Sequence, residues 1–343
     1  MIGNDEASIN LNLVAGLRDF LYSQLFVSPS LPNHSFDGQT VIVTGANSGL
    51  GLEAARHFYR LKATKLILTV RCLSKGEAAK EDIMRSVTSR SDGPSVIEVW
   101  AMDASSTQSV LAFAKNAQSL PRLDVLLCNA GVRSMEYGLV EGVENNMQIN
   151  VMGTFLLALS LLPKLGETKA LFTESSPHLV VVSSDAHRLT RFVEIVQEDI
   201  YAAFNKKETF DGQARYQDSK LLQVLIHREI VSRLDNGEGN TPPVIFNVVN
   251  PGLCTTNLER QLERPGFATR LLHRILYRTA EVGARSLVHA SYAGPATHGG
   301  YLTDLKMVHV APWIYTEVGK NAQLKAYNQT MQILEKRGLL NVP

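Results

Sequence analysis

A chain of 343 residues with 45% hydrophobic and 20% charged content is expected to bury a large core, and neither a disordered chain nor a membrane span is expected. A net charge of +1 supplies no long-range field to gather nucleic acid or anionic lipid, so nucleic acid is not an expected partner and any anion site must be local. Cys72, Cys128 and Cys254 are widely spaced with no CxxC pair, which argues against disulfides or a zinc site; no metal is expected, and a reducing, cytoplasmic setting is.

The opening MIGNDEASIN is acidic and no cleavage site follows an apolar run, so a secretory signal is not expected. In residues 11–26, Leu11, Val14, Leu17, Phe20 or Leu21 and Leu25 fall at helical spacing, but Arg18 and Asp19 interrupt the run and it is too short to span a bilayer. The pattern predicts an amphipathic helix in an N-terminal extension, residues 1–36, that packs on its own domain or on a partner subunit, with contact to a membrane surface or cover of a substrate mouth as the competing readings.

From Gln39 onward short β-branched runs alternate with amphipathic stretches: TVIVTG, KLILTV, SVIEVWAMD, LDVLLCNAG, HLVVVSSDA, VIFNVVNPG and a short run near GGYLTD. Near-continuous apolar strands separated by helices predict an α/β, doubly wound Rossmann-type fold, with a parallel sheet of about seven strands covered by helices on both faces. No boundary divides residues 37–343, which are read as a single domain. Residues 188–215 are too long for an ordinary β–α connection and predict a functional insertion.

The first strand runs into Gly45, Ala46, Asn47, Ser48, Gly49, Leu50 and Gly51 and then a helix, the setting in which glycines let a pyrophosphate approach backbone N–H groups at a helix N-terminus. The spacing is G-x-x-x-G-x-G, so Asn47 and Ser48 occupy turn positions whose side chains can reach phosphate or backbone. The second strand ends at Arg71, where an NAD enzyme would place a carboxylate on the ribose hydroxyl. A guanidinium there suits a 2′-phosphate, with Lys75 able to share the role, so NADP(H) is the expected cofactor.

Tyr216 and Lys220, four residues apart in a helical pattern, share a face. A free phenol titrates near about 10, and a neighbouring ammonium favours the phenolate, which makes acid/base catalysis near neutral pH accessible.

The order TGANSGLG, Asp103, CNAG at 128–131, Asn150, VVVSS ending at Ser184, YQDSK and NPG at 250–252 resembles the short-chain dehydrogenase/reductase family over roughly residues 37–305, most of all its retinol-dehydrogenase-like branch and fungal secondary-metabolism tailoring reductases. The resemblance implies Tyr216 as proton donor or acceptor, Ser184 on the carbonyl oxygen, Lys220 on the nicotinamide ribose and Asn150 on a relay water. It also implies Asp103 at the adenine amino group, Asn129, Ala130 and Gly131 along the adenine ribose while bracing the sheet, and Pro251, Gly252 and Thr256 at the nicotinamide carboxamide. Structural roles suit Asn129 and Pro251 nearly as well.

Cys128 stands where many relatives have asparagine, and His187 where they often have glycine. Ser184, Asp185 and His187 suggest a hydrolytic triad, but no G-x-S-x-G elbow surrounds Ser184, so that reading is rejected. Ser48 likewise stands where the glycine loop of the related epimerases and dehydratases needs glycine.

The 32-residue step from Ser184 to Tyr216 and the stretch 253–279, with Leu258, Phe267, Leu271, Leu272, Ile275, Leu276 and Tyr277, are expected to wall the substrate pocket, although the latter suits the core equally. The expected function is an NADPH-dependent carbonyl reductase, or the reverse alcohol dehydrogenase, acting on a small lipophilic, aromatic or polyketide-like carbonyl or alcohol. A non-catalytic NADP-binding regulator of the same fold is the alternative, and a homodimer through the Tyr216 helix stays open.

Overall fold

The computed structural model describes residues 13–90, 93–235, 242–256 and 276–339. A helix, α1 (Leu13–Phe26), precedes the sheet. The chain then alternates through β1 (Thr40–Thr44), α2 (Gly49–Arg60), β2 (Lys65–Val70), α3 (Leu73–Ser86), β3 (Ile97–Ala101), α4 (Thr107–Gln118) and β4 (Val125–Cys128). A two-residue ribbon, β5 (Leu139–Val140) with β6 (Val143–Glu144), leads into the single turn α5 (Asn145–Met147) and the long α6 (Thr154–Leu171). β7 (His178–Val182), the short α7 (Ile200–Phe204), α8 (Gly212–Leu234), β8 (Ile245–Asn250), α9 (Ala280–Ala290), β9 (Tyr301–Thr303), β10 (Lys306–Val308) and α10 (Glu317–Lys336) complete the fold.

The strands form one sheet in the order β10-β9-β8-β7-β4-β1-β2-β3. The seven expected strands are all present and mutually parallel; the eighth, β10, turns back antiparallel on β9 and closes the edge. Alternation along each strand splits the apolar residues between two layers. Ile42, Ile67, Leu126 and Val181 face α4, α6, α8 and α10, whereas Val41, Val43, Leu66, Leu68, Leu127 and Val180 face α2 and α9. Each fully buried aliphatic chain contributes about 1.5–3 kcal/mol, which explains why both strand faces read as apolar.

The helix Asn145–Leu171 is long and apolar enough to cross a membrane by length and composition, but 72% of its most apolar window is buried inside the fold, as in a core helix. Consecutive strands diverge between β1 and β4, the reversal point at whose carboxyl ends doubly wound sheets open a crevice.

The expected amphipathic helix lies on its own domain, and its described side chains dock through polar groups. Gln24 is buried, and its amide donates to the Leu253 and Leu276 carbonyls at 3.0 and 2.8 Å while accepting from Leu253 N–H. Tyr22, Leu25 and Phe26 stay exposed. Arg278 donates to the Ser23 and Val27 carbonyls and pairs with Asp304.

Candidate active site

The turn from β1 into α2 takes two glycines through left-handed backbone, Gly45 at φ +64° and Gly49 at φ +57°. Gly51 is required for a different reason: a Cβ there would lie 2.4 Å from Asn129 Nδ2 and 2.5 Å from the Gly45 carbonyl. Ser48 caps α2 in an extended conformation with no side-chain cap bond, leaving its hydroxyl on the cavity side with Asn47. A cradle with no room for a β-carbon, opening on a helix N-terminus, fits a pyrophosphate.

Asn129 braces this loop. Its Nδ2 donates to the Thr44 carbonyl at 2.8 Å, and the Asn129 and Ala130 N–H groups both donate to Thr44 Oγ1 at 2.9 Å. Gly131 borders the same cavity, as do Arg71 and Lys75 at the end of β2 and start of α3. Asp103, after β3, accepts at one oxygen from the Ser105 N–H and hydroxyl. On the far wall the NPG turn brings Pro251 and Gly252 (φ +80°) into the cavity, and Thr256 lies 3.5 Å from the position a Gly49 Cβ would take.

Strand alternation at the end of β7 sends Ser183 Oγ to the Lys220 carbonyl on α8 and leaves Ser184 on the cavity, where its Oγ accepts from Ala186 N–H at 3.2 Å. Lys220 is buried, donating to the Val182 carbonyl at 2.9 Å and to Gln223 Oε1 at 3.1 Å, and this burial pulls its ammonium down to about 7. Its Nζ lies 5.7 Å from the centre of the Tyr216 ring.

Asn150 sits in a π-helical turn, Gln148–Gly153, a local widening that recurs at functional sites. Its side chain accepts from Val132 N–H and donates to the Val132 carbonyl and Ser219 Oγ, while its own carbonyl accepts from Gln223 Nε2 at 2.7 Å. Ser184, Tyr216 and Lys220 thus share one cavity of about 1860 Å³ with the glycine loop, large enough for a dinucleotide and a second molecule.

A family model described as short chain dehydrogenase matches residues 39–203. The short chain dehydrogenase/reductase dmxR8 of Cryptosporiopsis sp. is 41% identical over 92% of this chain and 96% of its own length. The short chain dehydrogenase atnD of Emericella nidulans is 43% identical over 82% and 89%. The chain belongs to the short chain dehydrogenase/reductase family. Solved structures share the fold. An uncharacterized protein from Mycobacterium Paratuberculosis aligns with TM-score 0.63 at 27% identity over 88% of this chain and 95% of that one. The Pseudomonas aeruginosa RhlG/NADP active-site complex aligns with TM-score 0.58 at 19% identity over 80% and 97%.

Within this short chain dehydrogenase/reductase the hydrolytic reading of Ser184 has no geometry. His187 is fully buried, one ring nitrogen 2.8 Å from the Ser184 carbonyl and the other accepting from Ala311 N–H, and burial pushes it down to about 4. A neutral ring with both nitrogens on backbone is no base for the Ser184 hydroxyl. Cys128 is buried and pushed up to about 12, so it remains a thiol.

The pocket walls differ from expectation in part. Only the ends of the 188–215 insertion, Arg188, Leu189 and Gln213, line the cavity. Its middle is core: Phe192, Tyr201 and Phe204 are buried, and Tyr201 hydrogen-bonds Thr330 of α10 at 2.6 Å. Of the expected lid, Leu258, Phe267, Leu271, Leu272 and Ile275 lie outside the described residues, whereas Leu253 lines the cavity.

Sequence reasoning missed two contributors to this site and held a third only as an alternative. Val308–Trp313, from the end of β10 onward, forms a wall, and Phe20 and Tyr22 bring α1 to the mouth, the alternative the sequence offered for that helix. Arg133 places its guanidinium carbon 5.7 Å from the Tyr216 ring centre, matching Lys220 on distance. Its place directly after CNAGV was the available signal.

Proposed function

We propose that this protein is an NADPH-dependent oxidoreductase that reduces the ketone or aldehyde of a lipophilic, aromatic or polyketide-like substrate to the alcohol, or runs the reverse oxidation. The observation that carries the reading is the convergence of Ser184, Tyr216 and Lys220 on the cavity that begins at the glycine loop. The preference for NADP(H) over NAD(H) rests on Arg71 and Lys75 at the end of β2, with no carboxylate between Val70 and Lys75. The lipophilic substrate class rests on Val132, Ile149, Leu189, Val308, Val310 and Trp313 in the cavity wall. Three free thiols suit a reducing compartment such as the cytoplasm.

In this reading the backbone N–H groups of Ser48–Gly51 hold the pyrophosphate, Asp103 the adenine amino group, Asn129–Gly131 the adenine ribose, and Pro251, Gly252 and Thr256 the carboxamide. The bound nicotinamide supplies the hydride. Ser184 Oγ hydrogen-bonds the substrate oxygen and fixes it beside Tyr216, whose hydroxyl gives its proton to that oxygen as the carbonyl carbon is reduced. Lys220 holds the nicotinamide ribose and, with Arg133, places positive charge beside the Tyr216 ring. Asn150 fixes Val132 against α8 and so sets the spacing of the loop that bears Arg133.

The test is NADPH oxidation by the purified protein against aromatic and long-chain carbonyls, beside Tyr216→Phe and Arg71→Ala. Tyr216→Phe is expected to lose at least about a hundredfold in turnover, the scale of general acid catalysis. Unaffected turnover refutes the mechanism, and nucleotide binding without turnover by any carbonyl favours a regulator. Arg71→Ala is expected to weaken NADPH far more than NADH; equal loss refutes the 2′-phosphate assignment.

A further inference from the structure

Gln223 follows Lys220 by three residues on α8 and is 1% exposed. Its carboxamide orientation is dictated by its partners. The Asn150 carbonyl can only accept, so it takes the Nε2 hydrogen at 2.7 Å; the Lys220 ammonium can only donate, so it faces Oε1 at 3.1 Å. Asn150 is itself immobilised, with both side-chain atoms engaged by Val132 and Ser219. The bridge therefore runs from a fixed backbone carbonyl through a buried amide to the lysine beside Tyr216.

We propose that Gln223 is a positioning residue for Lys220, a built-in amide bridge that fixes the ammonium against Val182 and Asn150 and holds it in the charged form the Tyr216 proton transfer uses. The inference rests on the reading of Lys220 as the partner of Tyr216. Burial alone favours the neutral amine, and two acceptors, the Val182 carbonyl and Gln223 Oε1, oppose it. The titratable and charged groups on surrounding elements include Tyr216, Arg215 and Asp218 on α8, Glu144 before α5, Arg133 and Cys128 at and after the end of β4, Asp185, His187 and Arg188 after β7, and Tyr301 on β9. Asp185 is committed to Asn250, Arg188 and Tyr301, and the neutral His187 ring to backbone, which leaves Gln223 as the side-chain acceptor bound to Nζ among the described residues.

The test titrates Lys220 directly. The full nucleotide-free chain is labelled with 13C at lysine Cε and followed by NMR against pH, with the Lys220 signal assigned by its loss in Lys220→Met. Gln223→Met is expected to lower the midpoint by at least one pH unit, a tenfold change worth about 1.4 kcal/mol, and Gln223→Glu to raise it by as much. A merely structural glutamine gives midpoints within a few tenths of the parent's, or shifts of the same sign in both variants, and either result overturns the proposal. If Gln223→Met loses the parent's circular dichroism spectrum, Gln223→Glu decides alone: an upward shift supports the bridge, and no shift or a downward one overturns it. Because neither nucleotide nor substrate is used, a failure of NADPH oxidation overturns the proposed activity and leaves this result to stand or fall separately.

Discussion

Arg215, the residue before Tyr216, is the place to test how the insertion supports α8. Its side chain is 2% exposed, with a guanidinium nitrogen 2.5 Å from Glu194 in the insertion and 3.6 Å from Asp218 one turn along α8. It also donates to Thr209 and stacks over Phe204 at 5.1 Å. Burial, and secondarily the charge of Glu194, push the Asp218 carboxyl up to about 7 even with the arginine present. Arg215→Met strands two buried carboxyl groups on each other, and losing one partner of a buried ion pair costs about 3–5 kcal/mol.

The sign of the pH dependence follows from Asp218. Its folded value lies above its unfolded one, so ionising it costs stability progressively as pH rises from about 4 to about 7. Without the arginine that cost grows, by about 1.4 kcal/mol for each further tenfold weakening of the acid. The loss in Arg215→Met is therefore expected to be larger at about pH 8 than at about pH 5.5, read from urea midpoints and slopes. Adding Glu194→Gln and Asp218→Asn to the variant recovers part of it, because no buried charge is then left alone. A loss below about 1 kcal/mol at the higher pH, or one equal at both, refutes the reasoning.

Other positions give sharper yes-or-no outcomes. Gly51→Ala drives a methyl into the Gly45 carbonyl and the Asn129 amide, so NADPH affinity is expected to fall at least about tenfold in a fluorescence titration; unchanged affinity means the loop does not hold pyrophosphate. Gln24→Leu leaves buried backbone groups of Leu253 and Leu276 without partners and is expected to cost about 1–3 kcal/mol; an unchanged melting temperature shows that α1 contributes nothing to the fold. Burial lowers His187 to about 4 and His227 to about 3, so each contributes stability that is complete above the unfolded value of 6.5 and lost as pH falls below it. The double variant His187→Gln, His227→Gln is expected to show a shallower fall in melting temperature between about pH 6.5 and pH 4.5, and an identical slope counts against this account.

The parallel strands were legible because most are short apolar runs buried on both faces, such as β1, β4, β7 and β8, and they alternate with helical stretches. β10 was not. Lys306, Met307 and Val308 carry no alternation, and an edge strand held by three residues of pairing leaves little trace in sequence. The glycine loop and Tyr216–Lys220 were legible because their spacing is local. Gln223 was half legible: an amide between Leu222 and Val224 on a buried helix demands a partner, but Asn150 lies 73 residues away and no spacing connects them. The N-terminal helix was found for its apolar stripe, yet among its described side chains Gln24 docks it, meeting backbone groups of Leu253 and Leu276 that need partners.

That docking also sets an order of events for the chain as it is made. The helix Leu13–Phe26 is made long before its partners, since Ser23 meets Asp304 across 281 residues and Gln24 meets Leu276 across 252. Until nearly the whole sheet exists the helix has nothing to hold, and Tyr22 and Phe26 travel in water as chaperone-accessible surface. A segment made early is therefore among the last to settle, and a chain ending before Leu253 would leave Gln24 without these partners.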